Sequence, residues 1–299
     1  MNDGEYIGST ELSDLHGTDA RTREVEEIIR AIDESYVAES EENRPTRLRP
    51  SSVGIECSRQ ITYDFWWASD LKKFEGRMLR LFGTGHRIED DMVLDLKRGG
   101  MEVLNRDPTN PKKQLSITAL NGHMFGYLDA IVRDRVGGGG WMVCEIKSHN
   151  KNSYAKLLRG GCEATKPEHH AQLQIYMHFS GIERGVYFAR CKDDDAIYLE
   201  RIDLNEKFIE RLLARAVAVL DRKVLPPKIN NNPKSFKCRF CSHIAVCHGG
   251  VAVARNCRTC EHIVASEGGK FGCKLHACEV TKELALASCE NYVVAEVFR

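Results

Sequence analysis

The stretch that most constrains this chain runs from residue 126 to residue 148, GYLDAIVRDRVGGGGWMVCEIKS. Two segments rich in alternating and β-branched residues flank four consecutive glycines, a pattern that predicts two strands folded back on each other through the flexible connection at 137–140. Side chains two apart on a strand share a face. Glu145 and Lys147 therefore project together, and the partner strand brings Asp129 opposite Glu145. Two converging carboxylates repel unless a cation offsets them. A hard divalent ion held by oxygen ligands meets that need. The adjacent lysine is then placed to orient or activate a water, or to stabilise an anionic transition state. A lone Glu-x-Lys is ordinarily an exposed ion pair, so the surrounding motifs decide between the two readings.

Elsewhere the chain alternates between helical and strand patterns. TREVEEIIRAIDESYV reads as a helix, RLRPSSVGIECSRQITYDFWWASD as a loop entering a helix at Ser51 or Ser52, and MLRLFGTGHRIEDDMVLDLKRGG as a helix stopped by Gly99-Gly100. MEVLNRD, LSITALNGHMFGYLDAIVRD, WMVCEIKS, RGVYFARCKDD and AIYLERIDL alternate like strands. PEHHAQLQIYMHFSG is helical, with Pro167 suited to the first turn and Gly181 to the stop. NEKFIERLLARAVAVLDRKVLP is a long amphipathic helix closed by Pro226-Pro227. The expectation is an α/β domain of roughly 230 residues with a mixed sheet flanked by helices, followed by a small cysteine-rich module.

GYLDAIV followed by CEIK resembles the Gxx-D…(D/E)xK signature of the PD-(D/E)xK nuclease superfamily. QLQIY supplies Gln172 and Tyr176 in a QxxxY pattern like that of the RecB-like branch, and GTGHRIE resembles that branch's first motif. The four motifs fall in order, and the resemblance covers roughly residues 50–250. It implies a restriction-endonuclease-like fold and a metal-dependent DNA nuclease with His86, Asp129 and Glu145 as ligands of Mg²⁺ or Mn²⁺. His86 offers an imidazole nitrogen, which favours Mn²⁺ over Mg²⁺. Lys147 aids the attacking water. Gln172 and Tyr176, four apart on one helix face, are placed to hold a phosphate or align the lysine. His169, one turn earlier, either joins them or is structural, and Glu89, one turn after His86, is a candidate to hold a water or a second ion.

Twelve cysteines in a chain without a secretory leader do not read as a disulfide framework, and eight of them follow residue 237. Cys144, Cys162 and Cys191 stand alone and read as ordinary small residues. KCRFCSHIAVC gives Cys238, Cys241 and Cys247, three thiolates of a four-ligand site. Cys57 resembles the isolated N-terminal cysteine of iron–sulfur nucleases, including the AddB subunits of helicase–nucleases and the CRISPR-associated adaptation nucleases. Ser58 stands where their usual proline would be. The resemblance implies a 4Fe–4S cluster on Cys57, Cys238, Cys241 and Cys247 that joins segments about 180 residues apart, binding energy becoming folding energy. The competing reading is zinc, with His243 or His248 as fourth ligand. In the last forty residues, Cys257, Cys260, Cys273 and Cys289 resemble a zinc-ribbon-like site, which Cys278 or His276 can enter in place of one of them. TKELALAS between the last two cysteines reads as a short helix.

Charge is segregated. Residues 1–44 hold 13 acidic and 4 basic residues, net −9, leaving 30 acidic and 39 basic, net +9, in residues 45–299. A basic body behind an acidic leader suits a DNA partner. The first ~15–20 residues are expected to be mobile. No segment has the apolar length of a membrane span, and MNDGEYIGSTELSD lacks a signal peptide's basic start and apolar run, so a cytoplasmic protein of a bacterium or phage-infected cell is expected. The expected organisation is an acidic, partly helical leader at 1–45, a nuclease domain with its iron–sulfur clasp at 46–250, and a zinc-binding module at 251–299. The expected activity is an exonuclease in recombination, repair or phage DNA metabolism. Without a GxxxxGK[ST] motif, unwinding falls to a helicase or recombination partner. The alternatives are a DNA-binding or assembly factor that keeps the fold without the chemistry, and an iron–sulfur redox protein.

Overall fold

The computed structural model describes residues 19–40, 44–71, 73–133 and 139–299. The acidic leader up to residue 18 and the glycines at 137 and 138 lie outside the described residues. The helices are α1 (Asp19–Glu39), α2 (Pro50–Val53), α3 (Ser58–Phe65), α4 (Gly76–Arg98), α5 (Lys151–Thr165), α6 (Pro167–Ser180), α7 (Glu206–Asp221), α8 (Ile244–His248) and α9 (Lys282–Ala287). Among them, none is long and apolar enough to cross a membrane. The chain divides into two compact units, the described residues of Met1–Asn43 with Lys73–His86, and Arg44–Lys72 with Arg87–Arg299. In the first, Arg80 near the start of α4 pairs with Asp33 of α1.

The second unit is built on a five-stranded sheet. Its strands are β1 (Glu102–Leu104), β4 (Ala130–Arg133), β5 (Trp141–His149), β6 (Arg184–Cys191) and β7 (Ile197–Asp203), in that spatial order. Every pairing is antiparallel except β5 with β6. Parallel neighbours need a crossover, and α5 and α6 supply it. This is the expected mixed sheet flanked by helices. A separate hairpin joins β2 (Ser116–Ala119) to β3 (Met124–Tyr127), so the predicted continuous strand is interrupted before β4.

Strand alternation sorts the sheet's two faces. Cys144 and Ile146 of β5, with Ala130, Val132, Val186 and Phe188, pack under Met92 and Val93 of α4. Val143, Tyr187 and Ala189 turn to the larger core beneath α6 and α7. Eight successive residues of α6, His170 to Met177, are buried. Such a helix is enclosed on all sides, which is why it shows no apolar stripe. Gly181 ends it in the left-handed conformation, φ 70°, as its position predicts. Cys144, Cys162 and Cys191 are all buried in the core.

Three local expectations are corrected. The helix predicted from Ser51 or Ser52 forms as two short ones, α2 and α3, interrupted at residues 54–57. The amphipathic helix α7 stops at Asp221, ahead of Pro226-Pro227. Arg222 there takes φ 49°, and its guanidinium donates to the carbonyls of Arg258 and Cys260. Helix α5 has no counterpart in the sequence reading.

The C-terminal residues form a small antiparallel sheet, β8 (Ile263–Ser266), β9 (Lys270–Cys273) and β10 (Cys278–Glu279), with α9 where TKELALAS predicts it. This sheet is docked tightly on the β2–β3 hairpin. Gly122 and Gly269 meet back to back, both with positive φ (87° and 73°), and a Cβ on Gly122 would lie 2.4 Å from the Gly269 nitrogen. His123 Nε2 lies 2.8 Å from the carbonyl oxygen of Ser266. Arg258, 2% exposed, is threaded among aromatic rings. Its guanidinium carbon is 3.5 Å from the Phe271 centroid, 4.7 Å from Phe65 and 5.0 Å from Trp67, and it donates to the carbonyl of Phe65 at 2.8 Å.

Candidate active site

The hairpin folds as its sequence predicts. Ala130 faces Cys144 and Arg133 faces Trp141, a register that sets Asp129 across from Glu145. Asp129 Oδ2 accepts the Ile146 amide at 2.7 Å and the Lys147 ammonium at 3.2 Å. Lys147 also pairs with Glu145 and donates to the Ile146 carbonyl at 2.9 Å. The ammonium thus stands between two carboxylates.

Glu145 has no exposed surface, and apart from its ion pair neither oxygen finds a hydrogen-bond partner. Burial pushes its carboxyl up to about 8, against the pull of Lys147 and with the help of Asp129. Glu89 on α4 belongs to the same electrostatic group. Burial and the nearby Asp129 raise it to about 7. For Lys147, burial opposes the charge, but Asp129 and Glu145 outweigh it and hold the ammonium above the ordinary lysine value. Buried carboxylates are costly unless paired, and Lys147 is the cation that Asp129 and Glu145 share.

Tyr176 and Gln172 are joined by a hydrogen bond from Gln172 Nε2 to the tyrosine oxygen at 3.3 Å. Burial and the neighbouring Glu145 raise the Tyr176 hydroxyl, so it stays a neutral donor. The glycine of the first strand motif has a steric reason here: a Cβ on Gly126 would lie 2.7 Å from the Tyr176 oxygen and 2.8 Å from Pro50. His86 is exposed and belongs to the first compact unit, whereas Glu89, Asp129, Glu145, Lys147, Gln172 and Tyr176 belong to the second.

His169 turns to a cluster that the sequence reading missed. Tyr187 Oη lies 2.8 Å from both His169 Nδ1 and His149 Nε2. Burial and the Lys147 charge bring His169 down to about 3, and burial with Lys166 brings His149 down to about 4, so both rings are neutral. One hydroxyl donates a single proton, so one ring accepts from Tyr187 and the other donates to it. The signal was present in the period of two, since His149 follows Glu145 and Lys147 on the same strand face.

The cysteines gather as two groups. Cys57, Cys238, Cys241 and Cys247 line one cavity, bringing α3's N-terminal end to the loop before α8. Burial raises the Cys241 thiol, with Asp64, Cys57 and Cys247 adding to the effect. His243 lines the same cavity, yet its ring nitrogens are taken at 2.8 Å by Ser69 Oγ and Asp64 Oδ1, which removes it as a candidate fourth ligand. Cys257, Cys260, Cys273, Cys278 and Cys289 line a second cavity with His262 and His276. Burial, with the other four thiols of that cavity adding to it, pushes Cys257 up to about 11. Among the described residues, no three His, Cys, Asp or Glu side chains are already arranged to hold a metal ion. The donor chemistry of each group nevertheless fits one: oxygen donors with unsatisfied buried atoms at the sheet, thiols in the two cavities.

No family model matches the sequence, and no curated protein matches it. Among solved structures, the chain is similar to the alkaline exonuclease LHK-Exo from Laribacter hongkongensis, at 16% identity over 63% of this chain and 91% of that one, TM-score 0.43. The same exonuclease in complex with dAMP matches at 16% identity over 63% and 90%, TM-score 0.42. The structure of SSO0001 matches at 18% identity over 74% and 96%, TM-score 0.43. Likeness at this level carries no argument about activity, which falls to the side chains at the sheet.

Proposed function

We propose that this chain is a metal-dependent DNA nuclease of the PD-(D/E)xK superfamily, RecB-like branch, with a restriction-endonuclease-like fold. It acts as an exonuclease in DNA recombination, repair or phage DNA metabolism, in the cytoplasm of a bacterium or an infected host. The observation that carries the reading is the convergence of Asp129, Glu145 and Lys147, with Glu145 wholly buried and short of hydrogen-bond donors. A surface Glu–Lys pair has no reason to bury its carboxylate without a donor.

Asp129 and Glu145 would hold the divalent ion, with Glu89 as a further oxygen donor; His86 as a nitrogen ligand rests on the sequence motif alone. When bound, such an ion polarises a phosphoryl oxygen and lowers the pKa of a water. Lys147 remains an ammonium, so its part is to position the attacking water and to neutralise charge that builds on the phosphate oxygens, not to remove a proton. Gln172 and the neutral hydroxyl of Tyr176 donate to the phosphate or hold the lysine in line. Hydrolysis forms one bond from water oxygen to phosphorus and breaks the bond to the departing sugar oxygen, which leaves with a proton.

Cys57, Cys238, Cys241 and Cys247 are proposed to hold a 4Fe–4S cluster that staples the domain. Cys257, Cys260, Cys273 and Cys289, with Cys278 or His276 as substitutes, are proposed to hold zinc. A helicase or recombination protein is the proposed partner. Incubation of linear and circular DNA with Mn²⁺ or Mg²⁺ tests the central reading. Degradation confined to linear DNA and lost in Lys147→Ala and Asp129→Ala is expected. Binding without cleavage by the metal-loaded wild type would leave a non-catalytic DNA-binding factor.

A further inference from the structure

The loop that carries Cys238 and Cys241 has two faces. The two thiols turn into the cavity, while Phe236 and Phe240 turn outward and are 78% and 75% exposed. Their rings meet edge to face, 6.4 Å between centroids at 90°. Arg239 fixes the pair, its guanidinium carbon 5.1 Å from one centroid and 4.6 Å from the other. Single exposed apolar side chains are common on protein surfaces; two phenylalanines held in a fixed array by one arginine are a built surface. The stretch that carries it has one sign along the chain: residues 228–250 contain four Lys/Arg and no Asp/Glu. Lys234 and Lys237 lie beside the rings in sequence, and Lys237 pairs with Glu56.

We infer that Phe236, Arg239 and Phe240 form a stacking platform for the unpaired bases of a single DNA strand. Bases present their π-faces to a protein only when unstacked, which a single strand allows and a duplex does not. The flanking cations match a polyanion running past the rings. An aromatic pair inside a wholly basic stretch therefore fits a single strand better than it fits a protein partner. The proposal rests on the nuclease reading only for the identity of the polymer as DNA.

The test is fluorescence anisotropy with an end-labelled oligothymidine and a blunt duplex, using the full chain without added divalent metal. Phe236→Ala and Phe240→Ala are each expected to weaken oligothymidine binding about tenfold, with duplex binding and melting temperature unchanged. Phe236→Trp should bind at least as tightly as wild type, and Phe236→Leu, which keeps bulk without a π-face, should lose as much as alanine. Oligothymidine affinity unchanged in the alanine variants, or fully retained by leucine, overturns the platform. So does a change confined to sedimentation, which would make the patch a contact between copies of the chain. The two readings fail separately: a protein that stacks oligothymidine on these rings but never cleaves DNA keeps the platform and loses the nuclease. One that cleaves DNA while its alanine variants bind normally does the reverse.

Discussion

Glu145→Gln replaces the carboxyl that the sheet buries completely with a group that cannot ionise. The folded carboxyl titrates at about 8, against 4.5 for an ordinary glutamate. Between those values the unfolded chain is ionised while the folded chain keeps its proton, so unfolding releases a proton and stability falls as pH rises. The contribution is fully present below about 4.5 and is gone once pH has climbed through about 8. At 1.36 kcal/mol per pH unit the interval amounts to roughly 5 kcal/mol, a large share of the ~5–15 kcal/mol that keeps a domain folded. Glutamine has the shape of the protonated acid without its charge, and Lys147 keeps Asp129 as a partner. The variant is therefore expected to be the more stable protein near pH 8, by up to about 5 kcal/mol, and to match wild type near pH 5. Glu89 contributes in the same direction in both proteins, so the difference between them is the quantity to follow. Urea unfolding monitored by circular dichroism, in metal-free buffer across about pH 5 to 8.5, measures it. Saturating Mn²⁺ should stabilise wild type most at high pH, because the ion competes with a proton for Glu145, and should do little for the variant. Parallel pH curves for the two proteins would refute the reasoning.

Lys147→Ala is expected to slow cleavage of end-labelled linear DNA by at least about 100-fold while leaving DNA affinity near wild type; cleavage within tenfold of wild type would remove the lysine from the chemistry. If the proposed cluster is present, wild type purified anaerobically should be brown and contain iron, and Cys238→Ser should lose both; a colourless wild type that contains only zinc would replace the cluster with zinc. Gly122→Val combines a strained φ with a backbone clash at Gly269, and should lower stability by at least about 1–3 kcal/mol in thermal melting, whereas an unchanged midpoint would show that the hairpin and the C-terminal sheet separate readily.

The hairpin was legible because three kinds of signal agreed in one place: strand alternation, a glycine connection, and charges spaced two apart. The same period ran on to His149, but a histidine carries no charge pattern of its own and was passed over. Tyr187 belongs to a strand whose alternation was clear, yet its hydroxyl is joined to His149 and His169 only by tertiary packing. Helix α5 was hidden by Gly160 and Gly161 in the middle of its sequence. There the backbone turns to φ 71°, and Glu200, from a distant strand, accepts the Cys162 amide at 2.7 Å. Cysteine spacing pointed to two clusters, and each set lines one cavity, although the availability of His243 depended on Asp64 and Ser69, which spacing cannot show. Arg258 was invisible for a different reason, since nothing local distinguishes an arginine that will be enclosed by aromatic rings from one that will face water.

That enclosed guanidinium bears on how the polypeptide can be dissected. Cutting after residue 250 to make a minimal fragment would withdraw Arg258 and Phe271 from beside Phe65, Trp66 and Trp67, leaving indoles open to water where a plug had been. The resulting fragment should precipitate, and its inactivity would say nothing about whether the missing segment touches substrate. Point replacements of individual thiols, made in the intact polypeptide, are the cleaner way to ask what the C-terminal end does.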